Sequence, residues 1–184
     1  MRLDEALAQP GPLLVVRERA KAPDARPRIS IHRADGERLV SLAESEDPAD
    51  RERAFDAVRR GGARLGDGDP RAGKVWCFDS EGFQIWAPSG TVHGVRGGAV
   101  RRPDGQAVET GDVELVVSFV DDARRANGVM IVADEEEFIV AEERDPDRVL
   151  GPVESRWISE LGATLAAWLG ARHVDELDER SDPP

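Results

Sequence analysis

The stretch RWISELGATLAAWLGARH, Arg156 to His173, carries no charge between Leu161 and Ala171, in a chain of which 34% of the residues are charged. Trp157, Leu161, Leu165 and Trp168 recur at spacings of three and four, with Ile158 and Leu169 beside them, which is the period of a helix. Val153 falls in the same register, so the helix is expected over residues 153–169, with Gly170 ending it. The uncharged run is too short to cross a bilayer, which takes about 20 apolar residues. A helix lying on a membrane surface wants a basic polar face, whereas Asp175, Glu176, Asp178 and Glu179 follow this one. A helix without charge on any side is a buried helix. It therefore needs a sheet to bury it.

Upstream the chain reads strand upon strand. LLVVRER (13–19), RISIHR (28–33) and ERLVSL (37–42) are followed, after a loop, by VWCFD (75–79), FQIWA (83–87), TVHGV (91–95), AVRR (99–102), QAVET (106–110), DVELVVSFV (112–120), VMIVAD (129–134) and EFIVAEE (137–143). Turn formers separate them: Asp35-Gly36, Ser80-Glu81-Gly82, Pro103-Asp104-Gly105 and Asn127-Gly128. In the longest run, Val113, Leu115, Val117 and Phe119 share one face, the expected core face. One further helix is expected near residues 48–60, with Asp47 as N-cap, Pro48 at the first position and Gly61-Gly62 at the end. Its stripe is Ala54, Phe55 and Val58.

About ten short strands at this spacing predict an α+β fold, mostly an antiparallel β barrel or sandwich, with the C-terminal helix buried against it. No helix interrupts the strand-dense stretch, so a parallel sheet is not expected. A sheet followed by a capping C-terminal helix resembles, in layout alone, the pleckstrin-homology-like arrangement; a helix enclosed by a barrel resembles the tubby-like one. The expected organisation is an N-terminal arm (1–12), one β-rich domain with its capping helix (13–171) and a disordered acidic tail (172–184).

Composition narrows the function. The single Cys77 excludes an intramolecular disulfide, and the polar start MRLDEALAQPGP has no apolar signal region, so a soluble, cytoplasmic protein is expected. The net charge of -12 is uneven: residues 1–102 balance at +2, and residues 103–184 at -14. An acidic half repels phosphates, and a chain without tyrosine lacks part of the usual stacking platform, so no nucleic-acid partner is expected. A basic protein partner is. Asp134, Glu135, Glu136 and Glu137, packed between two strands, are the candidate partner-binding residues.

Two other chemistries compete. Arg96, Arg101 and Arg102, near Trp86, are the candidate site for a small anionic ligand or lipid headgroup at a barrel mouth. His93 with Cys77 would make a nucleophilic pair, but Cys77 between Trp76 and Phe78 reads as a buried thiol, and no catalytic residue is assigned. Gly68 to Lys74 fits G-x-x-x-x-G-K, yet Val75 stands where a phosphate loop needs Ser or Thr, and a strand follows where it needs a helix. The three histidines lack metal-pair spacing, and Asp67 and Asp69 lack the closing glutamate of a calcium loop. No metal and no cofactor are expected. The functional expectation is a non-enzymatic interaction module; oligomeric state is open.

Overall fold

The computed structural model describes residues 2–18, 28–35, 37–42, 48–144 and 156–179. Among them thirteen strands and four α-helices form an α+β fold with mixed sheets. The chain divides into two compact units, Met1–Cys77 and Phe78–Pro184.

The first unit orders its strands β3-β2-β1-β4-β5: β1 (Leu13–Glu18), β2 (Arg28–Arg33), β3 (Arg38–Ser41), β4 (Ala63–Asp69) and β5 (Lys74–Phe78), of which all but the last residue belongs to this unit. Leu13, Val15, Ile29 and Ile31 form the floor of its core. Leu3 and Ala6 of α1 (Leu3–Leu7) and Ala54 of α2 (Pro48–Arg59) cover it, with Phe55 and Val58 half-buried beside them. The expected stripe of α2 is therefore the one used; Asp47, its expected cap, lies outside the described residues. Gly61 ends α2 at φ +75°, with Gly62 N–H donating to Ala57 O and Gly61 N–H to Val58 O, which is a Schellman ending.

The second unit contains a meander, β6 (Gly82–Ala87), β7 (Gly90–Val95), β8 (Ala99–Arg101) and β9 (Ala107–Glu109), all antiparallel. It also contains a four-stranded sheet ordered β12-β11-β10-β13: β10 (Val113–Asp121), β11 (Ala126–Ala133), β12 (Glu136–Arg144) and β13 (Arg172–Asp175). Helix α3 (Arg156–Leu169) lies on the sheet face formed by Val116, Ser118, Val120, Val129 and Ile131. It buries Trp157, Ile158, Leu161 and Leu165, contributing on the order of 8 kcal/mol of transfer free energy before entropy. Gly162 allows the close approach: a Cβ there would stand 2.7 Å from His173 Nε2 and nearer still to Ser118 Oγ. Gly170 ends α3 at φ +72°, as expected. Residues 153–155 lie outside the described set.

Several expectations are corrected. Among the described residues neither the nine-stranded nor the four-stranded sheet closes on itself, so of the barrel and sandwich alternatives the barrel, with its mouth, is not formed. Each unit includes a parallel pair, β1 with β4 and β10 with β13, reached through a crossover that carries α2 or α3. The strand-dense stretch itself contains no crossover helix; the two that matter flank it, which is why its pattern alone pointed to an antiparallel sheet. The start of the acidic tail is structured: β13 and α4 (Glu176–Glu179) occupy residues 172–179. Asn127-Gly128 lies within β11, and the chain turns at 122–125 instead, with Arg125 at φ 47°. A Cβ on Gly128 would sit 3.1 Å from Glu142 Cα and closer to Ala141 O. The glycine serves strand approach at a bulge, not a turn.

Candidate acidic groove

The face of the four-stranded sheet opposite α3 holds the most developed candidate site. Register places Phe119, Gly128 and Glu142 in one row across β10, β11 and β12. Val117, Met130 and Ile139 make the next row, and Leu115, Val132 and Glu137 the third. This is the face expected to be the core, and Val113, Val117 and Phe119 are indeed buried on it. The more deeply buried face of β10 is the other one, Val116, Ser118 and Val120, because α3 packs there. Alternation alone cannot say which of two apolar faces a helix will choose.

A groove of about 310 Å³ opens over these rows, which line it with Phe119, Glu142, Met130, Ile139 and Glu137. Phe119, Met130 and Ile139 make its apolar floor; Gly128, lacking a side chain, leaves the first row low. Asp121, Asp122 and Glu176 stand at one end with Glu142, and Glu137 at the other. Among the described residues two arginines pair with carboxylates here. Arg124 Nε lies 3.4 Å from Asp121 Oδ2, and Arg144 Nε donates to Glu142 Oε2 at 2.9 Å. The Arg144 pKa rises above its already high ordinary value, first through that hydrogen bond, then through the Glu142 charge, and further through Asp121. Glu176 Oε2 accepts the Val120 N–H at 3.1 Å, which fixes α4 at the groove's end.

Of the four predicted partner-binding acids, only Glu137 enters the groove. Asp134 and Glu135 form the two-residue β11–β12 turn at φ 51° and 66°, and Glu136 follows them, exposed. Asp121, Asp122, Glu142 and Glu176 were missed because they lie far apart in sequence. Only the register of β10 against β11 and β12, and the return of α4, brings them together.

The three candidate arginines do not converge. Arg96 sits on the β7–β8 turn, its guanidinium 4.4 Å over the Trp168 ring and its Nε donating to Ser80 O at 2.8 Å. Arg101 is exposed on β8. Arg102 pairs with Asp104 at 3.1 Å and lies 5.6 Å over the Phe138 ring. Trp168 is half-buried, set edge-on against Phe83, and donates from Nε1 to Asp79 O at 2.7 Å. A cleft of about 420 Å³ opens beside Arg96. Glu109 and the carbonyl end of α3 line it as well, and both oppose an anion there.

The enzyme alternative finds little geometry. Cys77 is 2% exposed, while His93 is exposed on β7. Two serine–histidine contacts were not anticipated: Ser30 with His32 at 2.8 Å and Ser118 with His173 at 3.0 Å. Both serines are fully buried, and the Ser118 hydroxyl donates to Ile158 O at 2.9 Å, leaving its lone pairs to the histidine. A nucleophile needs the opposite polarity; the Ser118–His173 contact joins β10 to β13, while Ser30 and His32 are neighbours on β2. Lys74 of the G-x-x-x-x-G-K match is buried at the start of β5 and no helix follows it. Among the described residues no group of three or more His, Cys, Asp or Glu is placed to hold a metal ion, and no helix is long and apolar enough to cross a membrane. Compared with protein-family models, curated proteins and solved structures, the chain finds no match in any of the three.

Proposed function

We propose that the protein is a non-enzymatic binding module that captures a basic segment of a protein partner in the acidic groove of its second unit. The observation that carries this reading is the combination of an apolar floor with five carboxylates at its two ends. Apolar burial supplies affinity, and the charge supplies orientation and speeds encounter. At one end Asp121, Asp122, Glu142 and Glu176 gather, and the surplus of carboxylates over residues 103–184 makes this end attractive to an incoming cation. The net charge of -14 over residues 103–184 adds long-range attraction for the same partner.

The test compares charge at the groove with charge elsewhere. A fluorescent peptide of alternating arginine and leucine is titrated against the parent, against Asp122→Asn/Glu137→Gln, and against Asp104→Asn/Glu109→Gln, which changes net charge equally outside the groove. The reading expects the groove variant to bind at least about fivefold more weakly and the control to match the parent within about twofold, since a diffuse charge acts weakly at moderate salt. Equal weakening in both variants would reduce the effect to bulk charge and sink the reading.

A further inference from the structure

The spacing of the groove's rows sets a pattern for what it binds. We propose that the partner segment is extended and presents arginine, an apolar residue and arginine at alternate positions, so that the three inward side chains meet the Glu142 row, the Met130–Ile139 row and the Glu137 row in turn. This inference rests on the reading of the groove as a docking site and adds the sequence it selects.

From Gly128 to Val132 the three rows span four residues of β11, which is about 14 Å at the rise of a strand. An extended chain laid along β11 points every second side chain at the sheet, at the same pitch of about 7 Å. Its first, third and fifth residues then fall over successive rows. The middle row, Val117, Met130 and Ile139, is apolar and accepts only an apolar side chain without leaving a buried charge unpaired. The outer rows each contribute a carboxylate. Glu137 is exposed and has no ion-pair partner among the described residues. Glu142 is 11% exposed on its side chain and already holds one guanidinium, that of Arg144. That contact, from two residues along the same strand, shows that this carboxylate takes a planar guanidinium donor. A helix does not match, because about 14 Å along a helix separates residues roughly nine positions apart and its side chains sweep around the axis between them.

Two capped five-residue peptides of one composition and charge separate the proposal from the broader reading: Arg-Ala-Leu-Ala-Arg and its isomer Arg-Arg-Ala-Leu-Ala. Both are too short to be helical. Their dissociation constants are read by competition against the fluorescent probe. The spaced isomer should bind about three- to fivefold more tightly, the worth of one well-placed exposed ion pair, and Glu137→Gln should erase that difference. Equal affinities would overturn the spacing while leaving the groove a basic-segment site. No competition by either peptide, with the probe itself bound equally by the groove and control variants, would overturn both. If a lysine-for-arginine version of the spaced peptide bound as well, the preference for a planar cation would fall.

Discussion

Gly162 is the residue on which the packing of α3 depends most sharply, and replacing it with alanine sets two effects of known size against each other. In an exposed helix Gly→Ala stabilises by about 1 kcal/mol, because glycine loses the most backbone freedom on folding. Here the new methyl would stand 2.7 Å from His173 Nε2 and closer to Ser118 Oγ, where carbon contacts need well over 3 Å. Relief requires either lifting α3 from β10 and β13 or rotating Ser118 away from Ile158 O, its 2.9 Å acceptor. Overpacking of a tight core costs about 1–3 kcal/mol, and a buried hydroxyl left unpaired costs about 1–3 kcal/mol. The net expectation is a loss of about 2 kcal/mol, or about 4–8 °C in Tm for a chain of this size. Urea denaturation read by tryptophan fluorescence measures it. Ser118→Ala in the same background removes the nearer atom and should restore at least about 1 kcal/mol, so the double-mutant cycle shows coupling. A Gly162→Ala protein as stable as the parent or more so, or a cycle without coupling, would refute the close-approach account.

Asp134 and Glu135 hold the β11–β12 turn at positive φ, a conformation that costs a non-glycine residue about 1–2 kcal/mol, so Asp134→Asn/Glu135→Gly should raise Tm by several degrees in a melting scan. Trp168→Ala should cost about 2–3 kcal/mol in urea denaturation, less than a fully buried tryptophan, because the ring is half-exposed. Arg96→Ala should cost about 1 kcal/mol and couple to it, since the guanidinium lies over that ring. Gly68 is at φ +139°, and a Cβ there would stand only 2.9 Å from Val75 Cα; Gly68→Ala should lose at least about 2 kcal/mol in the same assay, and neither it nor the parent should show a melting shift with ATP.

How much of this was legible in the sequence depended on how local each signal was. The two helices carried their own punctuation: the Gly61-Gly62 and Gly170 endings and the stripes of Ala54, Phe55 and Val58 and of Trp157, Leu161 and Leu165 appear where the residue pattern put them. The Pro103-Asp104-Gly105 turn also stands, with Gly105 at φ +87°. Asn127-Gly128 misled because the same dipeptide serves a hairpin or a bulge, and only the neighbouring strand decides which. The charge-free sides of α3 were read as buried all round, yet Ala163, Thr164 and Ala167 are exposed. Alanine is apolar enough to pass as core and small enough to cost little in water. The groove was legible only in Glu137, since its remaining acids come from β10, the turn after it, β12 and α4.

The most direct test of the binding account is a map of backbone amide NMR shifts as the arginine–leucine peptide is added to the whole protein. The account predicts that perturbations concentrate at Gly128–Val132 and Glu137–Glu142 and weaken as salt is raised. Perturbations centred on the Arg96 and Trp168 cleft, or spread evenly over exposed acids such as Asp104 and Asp112, would contradict it.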